Sequence, residues 1–549
     1  MEKKKKSSDF LVQGSILAMA SIISRIIGLI YRIPLTNIIG DGGNNIYAAA
    51  YDVYNILLLI SSYSLPLAVS KLVAARLAVG EKKNANRVFK GALVFALTTG
   101  TIAFIIVFVF ADAITKLLAT PQSYLALKVL GPGLIIVAVM GVVRGYFQGM
   151  GTMVPSAISQ IIEQIVNAIV SVIGAYYLFS YGSKVGAVVG NSQEYGEAFG
   201  AAGGTLGTVT GACASLLFLA VVYFSYSRTF KKGIRSDRYH KRESYSSIAK
   251  LLIVTIVPVL LSTTVYNISS IIDQGIFKNV ALFQGYSASD ISTWWGVFTG
   301  KYKVLTNVPI AIASAMAASC VPSITGAFSQ KDEELVRTKI SSSLRFIMLL
   351  AFPCMVGLCV LASPILQLLF HDARPLGATM IVVGGISIIF YSISTLSNAA
   401  LQGIDRMSEP VKNAIFSLGL HIVVLLILMF VFHTNIYAVI LANVFFSLIM
   451  CIFNSRSLYK YCGFKQEYKK TYVIPAIASA LMGIVVFAVY KLVILALHSN
   501  TLATFVGILA GMLSYSIFIT RLGGVTEEEL KNFPKGGMIV KVLKKIRVL

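Results

Sequence analysis

Charge is what this sequence has least of. Only 13% of its 549 residues are Asp, Glu, Lys or Arg, about half the share of a soluble domain, while 56% are hydrophobic. A soluble globular enzyme and a charged disordered chain are both excluded by that balance. Acids are scarcer still: 23 Asp and Glu face 47 Lys and Arg, for a net charge of +24. The six cysteines (Cys213, Cys320, Cys354, Cys359, Cys451 and Cys462) contain no CxxC pair and five lie in apolar stretches. They read as small core hydrophobes, not as disulfides or metal ligands. The five histidines (His240, His371, His421, His433 and His498) are scattered without HExxH or similar spacing. No Walker sequence or Ser/His/Asp grouping stands out either. No metal, no cofactor and no covalent catalysis is expected, and the chain reads as a transporter, not an enzyme.

What is present is apolar length. Mean hydropathy is +0.78, and apolar runs long enough to span recur from end to end. A bilayer core of roughly 30 Å needs about 20 apolar residues per helix, which leaves room for about fourteen spans and no soluble domain. The expected fold is an all-α polytopic membrane protein. A basic excess can signal nucleic acid, but here its placement speaks against that partner. Lys and Arg gather at Lys3–Lys6 and in 71–90, 228–250, 331–345, 456–470 and 521–547, segments that fall on one side of the membrane. That positive-inside pattern puts both termini in the cytoplasm. The span after Lys3–Lys6 carries Arg25 and Arg32 and no small-x-small cleavage site, so it reads as a first transmembrane helix rather than a signal peptide.

Internal repetition organises the spans. Leu65-Pro66-Leu67-Ala68-Val69 is echoed by Val308-Pro309-Ile310-Ala311-Ile312, and Gln148-Gly149 with Pro155 by Gln402-Gly403 with Pro410, each about 250 residues later. Two six-helix repeats follow, 1–227 and 247–460, joined by a basic linker at 228–246. Six is even, so the repeats are parallel, with a cavity between them. Two further helices occupy 461–520 and a cytoplasmic tail 521–549. In the tail, Ile539, Val542, Leu543, Ile546 and Leu549 form an apolar face opposite Lys541, Lys544, Lys545 and Arg547, the pattern of an interfacial helix drawn to anionic membrane lipids. Thr526 and Glu527–Glu529 look like the capped start of a separate helix. In the sixth span (197–227), Gly196, Gly200 and Gly204 with Gly203, Gly207 and Gly211 make two small-xxx-small ladders for close helix approach.

Ionisable groups inside spans are costly and default to functional candidates. Arg25 and Arg32 in the first span (11–35) share one helix face to within about 20°. Lys301 and Lys303 in the eighth (292–325) point to different sides of a regular helix, so only one faces inward. Asp52 (span 46–78), Glu163 (154–180) and Asp273 (247–279) are the buried acids, read as charge partners or coupling groups. Alternatively, all seven groups pair with one another and hold helices together, and Arg32 snorkels to the outer interface. Pro34, Pro66, Pro258 and Pro309 are the candidate hinges. A net cationic cavity suits an anionic substrate, since guanidinium forks match phosphate oxygens and stay charged.

Ser24-Arg25-Ile26-Ile27-Gly28 resembles the SRxxG opening of the MurJ/MviN lipid flippases of the MOP superfamily. Ile272-Asp273, Leu305 to Pro309 and Val321-Pro322-Ser323 resemble that family's second-half pattern. The segments YRIPLTNIIG and SLPLAVSKLVAARLA are more similar to the YtgP/SpoVB branch of polysaccharide-biosynthesis flippases. The resemblance covers essentially the whole chain. It implies fourteen helices in two lobes, a V-shaped cavity, and movement of a lipid-linked cell-wall precursor across a bacterial plasma membrane. The reading is a flippase for an undecaprenyl-diphosphate-linked sugar, foremost lipid II, with Arg25, Arg32, Lys301 and Lys303 on the substrate. Coupling to the membrane potential or an ion gradient, and contact with cell-wall synthesis or division machinery, would accompany it. The departures matter: the family's arginine and aspartate after SRxxG are Tyr31 and Arg32 here, its acid at the start of the second helix is Ile46, and its eighth-helix basic position is Val304, beside Lys303. Roles carry over only for Arg25 and Asp273. The rivals are a flippase for another lipid-linked polysaccharide, a MATE-type cation or drug antiporter, which would want an acidic cavity, and a membrane glycosyltransferase, which would want acids in a large outer loop.

Overall fold

The computed structural model describes residues 16–17, 19–235 and 242–525. Lys3–Lys6, Glu527–Glu529 and the amphipathic tail segment 539–549 lie outside the described residues. Among those described the chain is helical, with no strand. Its helices are α1 (Met19–Ile30), α2 (Arg32–Leu58), α3 (Leu65–Ala78), α4 (Lys82–Leu117), α5 (Tyr124–Gly149), α6 (Val154–Val189), α7 (Ser192–Arg235), α8 (Tyr245–Phe283) and α9 (Ala288–Val297). They continue as α10 (Lys303–Ser329), α11 (Glu333–Val360), α12 (Ala362–Phe370), α13 (Pro375–Gly384), α14 (Ser387–Gly403), α15 (Ser408–Phe430), α16 (Ile436–Cys462), α17 (Ile474–Leu497) and α18 (Asn500–Arg521). π-helical turns at Leu59–Tyr63, Phe298–Tyr302 and Lys469–Val473 link α2 to α3, α9 to α10, and lead into α17.

Among the described residues eleven helical stretches are long and apolar enough to cross a bilayer, or twelve with the bent pair α13–α14 taken as one span. Two shorter apolar helices, Met19–Ile30 and Tyr245–Val257, fall where the first and seventh spans are expected. The chain is thus the polytopic all-α membrane protein its composition implies. Helix ends follow local chemistry. Ser244, Ser287 and Asp332 accept backbone N–H groups at the starts of α8, α9 and α11, satisfying otherwise orphaned donors. The first two spans are separated within α2 by Gly40, whose φ of 69° and ψ of −174° interrupt the helix in a region glycine enters without a Cβ penalty.

The expected hinges differ in what they do. The helix is interrupted at Tyr31, before Pro34, and again at Gly40. Pro66 starts α3 just after a π-helical turn. Both α8 and α10 run on through Pro258 and Pro309.

The chain forms two compact units, Met1–Gly300 and Lys301–Leu549. This division does not coincide with the linker at 228–246, because α8 and α9 pack on α2 and α4 of the first unit. In that unit one core gathers Leu35, Ile39, Tyr47, Tyr54, Leu127 and Leu130. Another, built on Val69, Phe89, Phe147 and Leu219, takes in Ile248 and Leu252 of α8. The second unit is centred on α10, α11, α14 and α16, around Ile347, Met348, Ile388 and Leu396.

The two glycine ladders serve different neighbours. A Cβ on Gly203, Gly207 or Gly211 would strike the backbone of α6 at Gly174, Asn167 and Glu163. On Gly200 or Gly204 it would meet Phe179, Ile39, Leu35 and Tyr47. The first ladder therefore sets how closely α6 and α7 approach, and the second seats α7 on aromatic and aliphatic side chains. Gly207→Leu should cut the amount of folded protein in membranes severalfold, since overpacking costs about 1–3 kcal/mol and backbone cannot yield as a side chain can. Gly326→Ala, at a position with nothing within 4 Å of the added carbon, should be neutral. Fluorescence-detected gel filtration of tagged variants checks both.

Candidate functional site

In the first unit α1 meets α6 through small polar contacts. Ser21 Oγ donates to Gln160 Oε1 at 3.0 Å, and Gly28 leaves room for Gln164. Beside that seam Arg25 is exposed, and among the described residues no carboxylate pairs with it. Arg32 differs, because the break at Tyr31 separates the two arginines. It is half-buried, with its guanidinium 4.6 Å above the ring of Tyr47. Tyr47 stacks on Tyr51 with centroids 5.5 Å apart, and Asn167 Nδ2 reaches the Tyr31 hydroxyl at 3.5 Å. An aromatic face holds this cation, where cation–π attraction is worth about 0.5–2 kcal/mol.

The three acids are engaged locally. Glu163 accepts from Arg144 Nη2 at 2.7 Å, and Arg144 also donates to Ser159 and Ser215, tying α5, α6 and α7 together. Arg144 was not among the sequence candidates. Asp52 accepts from Ser270 Oγ of α8 at 2.9 Å. Asp273 is buried at 3% exposure, one helical turn from Ser270. Glu163 thus pairs with a cation outside the seven candidate groups.

A buried lysine escaped the sequence reading altogether. Lys278 of α8 is 0% exposed, and its ammonium donates to Asn45 Oδ1 and Thr120 Oγ1 with the Trp295 ring 5.5 Å away. Two neutral oxygens and a π face thus line the buried amine. Nothing in the one-dimensional pattern brings Asn45, Thr120 and Trp295 together. The group borders a polar cavity of about 590 Å3 that Gln122, Glu194, Glu197 and Ser292 also line.

In the second unit, Lys301 lies in the π-helical turn Phe298–Tyr302, and is 5% exposed. Its ammonium is 2.6 Å from Asp372 Oδ2. Arg374 grips the same carboxylate through Nη2 at 2.7 Å and Nε at 2.8 Å, and its backbone N–H adds a third bond. Burial pushes the Asp372 carboxyl up, but the hydrogen bonds from Arg374 and Lys301 outweigh it and hold the group well below the usual carboxylate range. Two cations on one acid leave a net positive cluster. Lys303 is half-exposed, so the two lysines are unequal, although the cause is a π-helical turn rather than a regular helix. In a background without native cysteines, Lys303→Cys should react with an impermeant thiol reagent and Lys301→Cys far more slowly. Equal rates would contradict this placement.

Arg25, Arg32, Asp52, Glu163 and Asp273 therefore belong to the first unit, Lys301 and Lys303 to the second. No group of three or more His, Cys, Asp or Glu able to hold a metal occurs among the described residues.

Known proteins place this arrangement. The profile described as Polysaccharide biosynthesis protein matches residues 11–328, and that described as MatE matches 304–427. Lipid II flippase MurJ of Bacillus subtilis (strain 168) is 25% identical over 434 residues, covering 77% of each chain. Stage V sporulation protein B of the same organism is 24% identical over 411 residues, covering 74% of this chain and 75% of that one. Among solved structures, Lipid II flippase MurJ in an inward closed conformation superposes with a TM-score of 0.63 at 15% identity, covering 92% of this chain and 98% of the other, a likeness of fold. With more than half its length matched by the first profile, the chain belongs to the polysaccharide biosynthesis protein family.

Proposed function

We propose that the protein is a flippase carrying an undecaprenyl-diphosphate-linked cell-wall precursor, foremost lipid II, from the inner to the outer leaflet by alternating access. The observation that carries this reading is Arg25. It lies inside the expected first span (11–35), ten residues or about 15 Å of helix rise from the Leu35 end, exposed and without a carboxylate partner among the described residues. An arginine there costs several kcal/mol unless it faces water or an anion, so its face lines an aqueous path. Its guanidinium fork fits a diphosphate. Of the two lysines in the second unit, Lys303 is the less buried and the better candidate for substrate, while Lys301 anchors its turn through Asp372. Arg32 guides the head group from its seat on Tyr47.

The diphosphate carries roughly −2, and a membrane potential negative inside favours its outward movement by up to about 4.6 kcal/mol per 100 mV. The bacterial plasma membrane, with both termini cytoplasmic, is the setting this requires. The match to MatE favours a cation antiporter as the second reading. That chemistry needs unneutralised acids; Glu163 is paired with Arg144 and Asp372 with two cations, so of the candidate acids it would fall to Asp52 and Asp273. Depleting the protein should make one lipid-linked diphosphate accumulate on the cytoplasmic face, read by mass spectrometry after extraction and a leaflet-specific accessibility assay. Unchanged precursor pools, with altered efflux of organic cations, would replace the flippase reading by the antiporter.

A further inference from the structure

A cavity of about 850 Å3 in the second unit is walled by Phe352, Ile389, Ile393, Cys451 and Phe464. Its mouth has a different character. Arg456 and Lys465 stand there, both exposed, and among the described residues neither has an acidic partner. Gln466 is held in place between them and the wall, donating to Ser455 Oγ at 2.6 Å and accepting from the Tyr472 hydroxyl at 2.8 Å. Tyr472 belongs to the π-helical turn Lys469–Val473, an irregularity that frequently marks functional positions.

Apolar walls and a basic mouth identify the occupant. The mouth lies at the Arg456–Lys470 segment, one of the basic segments that face the cytoplasm by the positive-inside rule. From Arg456 the wall runs along α16 to Cys451, about 7 Å of helix rise, and at the start of α14 it takes in Ile386 to Ile393, about 10 Å. That depth lies within one leaflet, half of a hydrocarbon core of roughly 30 Å, and takes part of an acyl chain. An apolar slot with two exposed cations at its mouth fits a lipid with an acyl chain and an anionic head. Its volume is within the range of about 300–1,000 Å3 typical of ligand sites.

We propose that this cavity is a binding site for an anionic glycerophospholipid of the cytoplasmic leaflet, with an acyl chain between α11, α14 and α16 and the phosphate on Arg456 and Lys465. Gln466 and Tyr472 form a polar collar that keeps the phosphate at the mouth. The site is independent of what the protein transports.

Full-length protein purified in mild detergent and exposed to equimolar phosphatidylglycerol and phosphatidylcholine tests this, with retained lipid counted by native mass spectrometry. Wild type should retain phosphatidylglycerol preferentially. Arg456→Ala with Lys465→Ala should weaken retention about 25-fold, since each basic residue near a membrane surface contributes roughly fivefold. Ile393→Trp should fill the slot and abolish retention with the basic mouth intact. Equal retention of both lipids by wild type would mean annular lipid only and overturn the proposal, as would undiminished retention by both variants. Displacement of phosphatidylglycerol by micromolar undecaprenyl diphosphate would also overturn it, by reassigning the slot to a transported lipid.

Discussion

Arg25→Ala is expected to abolish complementation of a strain depleted of this protein, while membrane levels and thermal stability stay close to wild type. The two halves of that expectation have separate causes. Function fails because an exposed guanidinium inside the expected first span is the group best suited to the diphosphate, and a charge-assisted hydrogen bond is worth about 1.5–3 kcal/mol. A fork that makes two of them would therefore lose on the order of 100-fold or more in transport. Stability holds because no carboxylate among the described residues relies on Arg25, so its removal strands no partner. Arg25→Lys keeps the charge, loses the fork and should be partly active. Wild-type complementation by the alanine variant would make Arg25 dispensable, and loss of the protein itself would make it structural.

The contrast between Arg25 and Arg144 shows what one-dimensional reading can and cannot reach. Arg25 was legible because a charge inside an apolar run is conspicuous, and its cost in lipid demands an explanation. Arg144 was not, because it sits near a span end where positive-inside counting absorbs it. Only the packing of α5 on α6 and α7 reveals that it neutralises Glu163. Lys278 failed for a related reason, as its partners Asn45 and Thr120 are neutral and distant in sequence. Fold class and the approximate spans needed only hydropathy, which each segment carries by itself. The glycine ladders were legible as close-approach surfaces, but which ladder meets α6 depends on helix rotation, which periodicity leaves open. The compact-unit boundary at Gly300 was illegible for the same reason: α8 falls in the expected second repeat by order and in the first unit by packing.

The eighth span shows how a local irregularity changes a chemical reading. A regular helix puts Lys301 and Lys303 on different sides without saying which faces inward. The π-helical turn at Phe298–Tyr302, together with an acid from the α12–α13 connection, decides the matter by burying Lys301 on Asp372. Neither signal is present in the span itself, since a single extra residue per turn leaves no mark on composition.

That buried pair carries the second large expectation. Asp372→Asn should destabilise the protein by about 3–5 kcal/mol, the usual cost of removing one partner and leaving a buried charge uncompensated. Lys301 is that charge, with its side chain 7% exposed. Lys301→Met should cost less, because Asp372 keeps its three bonds from Arg374. The double variant should recover part of the loss in Asp372→Asn, since Arg374 is half-exposed and can turn to solvent. The pH dependence has a definite sign. Arg374 and Lys301 depress the folded-state pKa of Asp372 against the opposing effect of burial. The pair's contribution is therefore complete above the unfolded value of about 3.9 and is lost as pH falls through the folded value. Thermal unfolding in detergent should show a midpoint that is flat from about pH 5 to 8 for this group and declines below about pH 4, with a shallower decline in Asp372→Asn. Equal destabilisation by Asp372→Asn and Lys301→Met would mean that Arg374 does not compensate the carboxylate. An unchanged midpoint in Asp372→Asn would mean that Lys301 finds another partner, and would return it to the candidates for direct substrate contact.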